Sequence, residues 1–291
     1  MKLKALTAAV LAAALLSACG SSASSAPAAS SADASSAEAS SETAASTAEA
    51  DDLLAQIQQR GEIVFGTEGT WSPWTYHDEN DQLVGFDIEV AQKVAEKLGV
   101  KATFVEGEWD GLLAGVDGGR YDTMANGVEI TEERALKYDF SDPYCYIRTA
   151  IIVKGDNDSI NSFEDLNGKS TANTISSTYA TLAESYGAVT TGVDDLNQTI
   201  ELLLAGRVDA TLNAEVTYID YLKEHPDADI KIAALTEDAS HVAFPVRKGD
   251  DTATLREAMN QAIKELREDG TLTEISEKYF GTDLTQPSSA E

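Results

Sequence analysis

The stretch Asn126 to Arg134, NGVEITEER, places three glutamates ahead of one arginine. A guanidinium offers a planar fork that grips a carboxylate with two parallel hydrogen bonds, which a lysine cannot do. Arg134 therefore reads either as a receptor for an anionic group or as a surface ion-pair partner of Glu132 or Glu133. A second cluster, Thr174 to Tyr179 (TISSTY), supplies hydroxyls and backbone N–H groups where a helix should start. Such a start suits a carboxylate. It equally suits plain N-capping, and both roles can hold at once. All three tryptophans, Trp71, Trp74 and Trp109, fall in the first half of the chain. Aromatic walls suit an amphiphilic small molecule, and the competing role is core packing. Trp71 and Trp109 are expected on loops facing a ligand, while Trp74, after Pro73, is expected to be structural.

These residues need a frame. EIVFG (Glu62 to Gly66) reads as a short apolar strand. FDIEVAQKVAEKLG follows with Ile88, Ala91, Val94, Ala95 and Leu98 on one helical face, stopped by Gly99. KATFVEG and YDTMANG read as strands around a short helix, WDGLLAGVDGG. After Pro143 a second series begins with TAIIVKG. It continues through a strand near Thr171, the helix TYATLAESYG, a further helix and a strand from Val208, the helix TYIDYLKEHP and the strand DIKIAAL. Two helices, TLREAMNQAIKELREDG and LTEISEKYFG, close the chain. Strands alternating with helices imply an α/β fold with mixed, mainly parallel sheets flanked by helices. The pattern divides into two similar blocks, roughly 53–145 and 148–240, and so implies two lobes. The polar and aromatic clusters fall just after strand ends in both blocks, where open α/β sheets bind ligands. The ligand is therefore expected between the lobes.

The N-terminus carries Lys2 and Lys4, then an apolar run from Ala5 to Leu16, which reads as a secretory signal over residues 1–18. LSAC, Leu16 to Cys19, is similar to a bacterial lipobox, in which the cysteine is acylated; the alternative is ordinary cleavage with a leftover cysteine. Diacylation supplies the two signals that stable anchoring needs. Residues 19–50 are almost entirely Ser and Ala and read as a disordered tether spanning roughly 30 Å as a flexible coil. The formal charge of −29 argues against nucleic acid and anionic lipid partners. If Cys19 carries lipid, Cys145 has no disulfide partner. With three histidines and no Cys/His cluster, no metal site and no cofactor are expected.

GTEGTWSPW, GFDIEVAQKVAEKLGV, WDGLLAGVDGGRYD and ITEERALKYDFSDPY together resemble the amino-acid-binding family of ABC-transporter solute-binding proteins. DLNGKS, STYATLAE, LLLAGRVDA, VRKG and the C-terminal helices continue the resemblance, which covers essentially all of 55–281 in order. GTEGT with WDGLL is most similar to the cystine-binding branch. The resemblance implies a two-lobed type II periplasmic-binding-protein fold that closes like a clamshell. Lobe I would comprise 51–146 with 243–282 and lobe II 147–242, with hinges near 146–148 and 240–243 and a disordered tail at 283–291. It assigns Arg134 to the ligand α-carboxylate and Trp71 to the ligand's apolar part. It sets Glu68 and Trp109 along the pocket wall, with Asn126 beside the Gly127 backbone. Gly127, Ser177 and Thr178 fall at the ligand's main-chain groups, and Tyr179 beside them.

Two positions depart from the family pattern. Glu129 stands where the family generally has Ser or Thr, and Ala214 where it generally has the Asp that holds the α-ammonium. An ammonium enclosed without an anionic partner is costly. Either Glu129 takes over that role from the opposite lobe, or it faces solvent and the ligand is not an α-amino acid. The implied protein is not an enzyme. It is an extracytoplasmic, lipid-anchored, monomeric binding protein that delivers a polar amino acid, cystine or cysteine among the candidates, to an ABC permease. Two other functions stay open. A dehydratase-like enzyme would use Glu68 and Glu129 as an acid/base pair. A ligand sensor would work without transport.

Overall fold

The structure is a computed structural model that describes residues 52–287. The expected signal segment, Cys19 and the Ser/Ala tether lie outside the described residues. No helix among the described residues is long and apolar enough to cross a membrane.

The first sheet is built on the strand Glu62–Thr67, flanked in parallel by Lys101–Glu106 and Thr123–Met124. Ile63 and Phe65 are fully buried, as strand alternation against a helical layer demands. The connecting helix Phe86–Leu98 buries Ile88, Val90, Ala91, Val94, Ala95 and Leu98, the face expected from its 3.6-residue period. Gly99 ends it in the left-handed conformation with φ 76°, which only glycine adopts without cost. The helix Trp109–Asp117 connects the second pair of strands.

The second sheet system is mixed. Its middle strand, Thr149–Lys154, runs antiparallel to both Thr211–Ala214 and Ile230–Leu235. Ser170–Thr174 and Val189–Val193 pair in parallel, and a bridge from Thr171 to Ala210 joins them to the rest. The reversed middle strand has a chain-path cause. The strand Cys145–Ile147 feeds directly into Thr149–Lys154, with no helix between them to turn the chain around.

Two antiparallel pairs link the sheet systems: Cys145–Ile147 with Ser240–Val242, and Tyr138–Phe140 with Pro245–Arg247. The chain passes out along one member of each pair and returns along the other. The helices Ala253–Glu268 and Thr271–Phe280 then pack on the helix Phe86–Leu98 of the first sheet. Residues 283–285, expected in a disordered tail, are held in place. Tyr146 donates its N–H to Leu284 O at 2.8 Å, Arg267 Nε donates to Thr285 O at 3.2 Å, and Thr285 is fully buried.

Candidate functional site

Strand ends deliver the polar groups to one place. Glu68 follows the strand Glu62–Thr67, and Asn126 and Gly127 follow Thr123–Met124. Asn173 and Thr174 end one strand of the second system, and Asn213 lies in another. Helix starts deliver the rest: Trp109 opens Trp109–Asp117, Arg134 lies in the helix Glu132–Lys137, and Thr178 opens Thr178–Ser185 behind its N-cap Ser177. All ten residues singled out from the sequence line one cavity of about 560 Å³, counting its opening to solvent. Trp109 therefore begins a helix rather than lying on a loop, and Trp71 sits in the short strand Thr70–Trp71. The structure adds Thr70, Asn173, Thr174, Leu196, Thr199 and Asn213 to the lining. The strand-end rule pointed to Asn173, Thr174 and Asn213. Nothing in the sequence marked Leu196 and Thr199, which come from the helix Leu196–Leu204.

Arg134 is only 9% exposed. Its Nη1 donates to Glu129 O at 3.0 Å and its Nη2 to Ser176 O at 3.4 Å. Its Cζ lies 5.2 Å from the Trp109 ring centroid, a cation–π contact. The surface ion pair open from the sequence does not form: Glu132 and Glu133 are exposed, and no carboxylate among the described residues comes within 4.0 Å of the guanidinium. Burial pushes the guanidinium pKa down, and the charge of Glu129 opposes that shift. Arg134 is thus a nearly buried cation held by two carbonyls and an aromatic face, an arrangement chemically suited to an anion.

Glu129 is 5% exposed and does not face solvent. Its backbone bridges to Val242, and its Oε1 accepts from Thr178 Oγ1 at 3.0 Å. Tyr179 stands beside it. Burial and then the charge of Glu129 raise the phenol pKa well above its ordinary value, while the amide of Ala214 acts the other way. The phenol thus lies within electrostatic reach of both departures from the family pattern. Glu215 is turned aside and pairs with Arg148 Nη2 at 2.8 Å.

Glu68 is clamped by Asn126. Asn126 Oδ1 accepts from the Glu68 N–H at 2.7 Å and from Thr67 Oγ1 at 3.2 Å, so its amide nitrogen must face Glu68, to whose Oε2 it donates at 2.6 Å. Burial raises the Glu68 pKa to about 7; the Asn126 bond lowers it, and the charges of Asp195 and Asp110 raise it further.

Gly127 needs a correction. Its N–H is donated to the fully buried Asp87, so that amide is not free to meet a ligand. Asp87 Oδ1 accepts from Tyr144 Oη at 3.0 Å. Gly127 has φ +56°, and a Cβ there would lie 2.7 Å from the Trp71 ring. Both facts require glycine. Trp71 stacks on Trp74 with centroids 5.2 Å apart. Trp74 is fully buried against Phe86 and Phe280, a structural role. Ser177 caps its helix by accepting from Ala180 N at 3.1 Å.

A buried polar atom without a hydrogen-bond partner calls for an explanation, and a ligand is one. Among the described residues these are Trp71 Nε1, Trp109 Nε1, Asn173 Oδ1, Tyr179 Oη and Tyr218 Oη. The first four belong to cavity-lining residues. No group of acidic, histidine or cysteine side chains among the described residues could hold a metal ion. Behind Arg134, Glu129, Thr178 and Trp109 lies a wider outer groove, so these four side chains form a wall between cavity and groove. Ser176 Oγ donates to Asp110, both residues lining the groove side of that wall. On another side Ser72 Oγ donates to Asp220 Oδ2 at 2.7 Å and Trp74 Nε1 to Thr217 Oγ1 at 3.2 Å.

Comparison with known proteins places this geometry. The chain is 41% identical over 240 residues to the L-cystine-binding protein TcyA of Bacillus subtilis, covering 82% of this chain and 88% of the relative. A solved ancestral arginine-binding protein bound to arginine matches with TM-score 0.71 and 39% identity, covering 76% of this chain and 99% of that one. The L-cystine solute receptor of Neisseria gonorrhoeae, unliganded and open, also shares 39% identity, covering 81% and 99%, but its TM-score is 0.54. At equal identity, the present arrangement is thus more similar to the ligand-bound relative than to the open one. The model of the bacterial extracellular solute-binding proteins, family 3, matches residues 63–282. The chain belongs to that family and has the type II periplasmic-binding-protein fold.

Proposed function

We propose that this protein captures an α-amino acid outside the cytoplasm and delivers it to the permease of an ABC importer. One observation carries the reading: the buried, carboxylate-free guanidinium of Arg134 in a cavity lined by indoles, hydroxyls and amides. Arg134 takes the α-carboxylate with help from the helix start at Ser177 and Thr178. Glu129 takes the α-ammonium, replacing an Asp at the position of Ala214. Trp71 and Trp109 cover the apolar part, and Tyr179, Asn126, Gly127 and Glu68 complete the wall. Residues 51–146 with 243–282 and residues 147–242 act as the two lobes and move about the paired crossing strands. Cys19 carries the lipid that holds a monomer at the outer face of the cell membrane, since LSAC follows a signal-length apolar run.

The test is a thermal-shift screen against amino acids and small peptides. Ligand at 100 times its Kd should add about 2.7 kcal/mol of stability. No shift with any α-amino acid contradicts the reading. Labelled palmitate should enter the wild type and not Cys19→Ala.

A second reading has its own support. Glu68, whose pKa is raised to about 7, shares the cavity with Glu129, an acid/base pairing that a dehydratase needs. Product formation from any bound ligand would favour it over transport.

A further inference from the structure

Asp87 is fully buried and does not line the cavity. Among the described residues, no cationic nitrogen lies within 4.0 Å of its carboxylate. A carboxylate so placed is costly, and hydrogen bonds to its oxygens offset the cost. Here Oδ2 accepts from the Gly127 N–H and Oδ1 from Tyr144 Oη at 3.0 Å. The N–H of Asp87 is in turn donated to Trp74 O at 3.0 Å. One residue thus ties together the segment 71–74, the loop at Gly127 and the approach to the crossing strand Cys145–Ile147.

Two of those segments make the aromatic wall of the cavity. Gly127 packs on both indoles: a Cβ there would lie 2.7 Å from the Trp71 ring and 3.4 Å from the Trp74 ring. The rings themselves stack with centroids 5.2 Å apart. Asp87 sets the fit between Gly127 and the indole pair from behind, holding one side through its backbone and the other through its carboxylate. Resting on the reading that an amino acid lies over Trp71, we propose that Asp87 is a positioning residue for ligand capture, which holds the Gly127 loop against Trp71 without touching the ligand. Without an acceptor at this position the Gly127 N–H is buried and unpaired, and the loop turns toward cavity water to satisfy it. The conformer with a formed wall then becomes the minor one, and the apparent affinity of every ligand falls by that fraction.

The test compares three variants of the full chain. Asp87→Ala removes the acceptor and Asp87→Asn keeps it. Tyr144→Phe removes a hydrogen bond from the other oxygen and leaves Gly127 paired. Calorimetry uses L-cystine, L-arginine and L-glutamine as probes, at a temperature where urea denaturation shows each variant folded. Asp87→Ala should weaken every probe that binds by about tenfold or more, without changing their order. Asp87→Asn and Tyr144→Phe should stay within about threefold of the wild type. Fluorotryptophan labelling gives a readout without ligand. The Trp71 fluorine resonance should move in Asp87→Ala and hold in the other two, while that of Trp109 holds in all three. In the ligand-free wild type the Gly127 amide should exchange slowly with solvent, which keeps the proposal testable if Asp87→Ala does not fold. Rapid exchange at Gly127 overturns it. So does an Asp87→Ala that loses stability yet keeps its affinity and an unmoved Trp71 signal, or an Asp87→Asn that binds as poorly as Asp87→Ala. If no probe binds the wild type, the amino-acid reading loses its support, and the fluorine shift alone decides whether Asp87 positions the wall.

Discussion

Glu129 acts in two directions: its carbonyl accepts from Arg134 Nη1 at 3.0 Å, while its carboxylate accepts from Thr178 Oγ1 at 3.0 Å. One residue thus fixes the buried guanidinium and presents a negative group beside it. An α-amino acid carries the complementary pair of charges one carbon apart.

Removing the fork should remove binding. Arg134→Ala should cost on the order of 2–5 kcal/mol of affinity, since the ligand carboxylate would stay desolvated and unpaired. Arg134→Lys should also bind poorly, because an ammonium cannot reproduce the bidentate geometry. Calorimetry reads both, and near-native affinity in Arg134→Ala would contradict the assignment.

The ammonium partner is tested by a double-mutant cycle. Glu129→Thr alone should cripple binding, since the ammonium loses its partner. Ala214→Asp alone should gain little or lose affinity to repulsion between two carboxylates. The double variant should recover part of the loss, with a coupling energy of ~0.5–3 kcal/mol. Additive effects would point to a ligand without an α-ammonium.

Asp87 gives a pH signature in stability. Its folded pKa is raised to about 7 by burial, with the Gly127 N–H and Tyr144 hydroxyl opposing. Between its ordinary value and about 7 the folded state holds a proton that the unfolded chain has lost. That contribution is therefore fully present at low pH and is lost as pH rises through about 7. Relative to Asp87→Asn, the wild type should lose stability between pH 4 and 7, by on the order of 4 kcal/mol at most. Urea denaturation across that range measures it, and parallel curves would contradict it. Asparagine suits the site because its oxygen can accept from Gly127 while its amide donates to Tyr144.

Closure should be tuned by residues that do not touch the ligand. Asp110 accepts from Ser176, and Asp220 accepts from Ser72, on separate sides of the cavity. Asp110→Ala and Asp220→Ala should each weaken every ligand by about 0.5–1.5 kcal/mol through faster release, without changing the order of preference. Small-angle scattering should show compaction of the wild type on ligand addition. A changed order of preference would mean these residues contact the ligand.

Much of the frame was legible because the helices are long and amphipathic: Phe86–Leu98 and Ala253–Glu268 announce themselves by period. The strands Thr70–Trp71, Thr75–His77 and Leu83–Val84 were not, since two or three residues carry no readable alternation. The crossing strands were equally short and were not read as strands, although crossings were expected near 146–148 and 240–243, where Cys145–Ile147 pairs with Ser240–Val242. In the site, Arg134 stood out as one arginine after three glutamates but stayed open between receptor and surface ion pair, and Trp109 was expected on a loop rather than at the helix start it occupies. Asp87 was not legible, because an acid in the first turn of a helix is ordinary. Only the tertiary structure shows it buried beneath Gly127.

The most direct measurement is a crystal structure of the protein with its tightest-binding amino acid. The expected density places the α-carboxylate on the Arg134 guanidinium, with both oxygens about 2.7–2.9 Å from its nitrogens, and the α-ammonium on Glu129. A ligand seated in the outer groove, or one whose carboxylate turns away from Arg134, would contradict it.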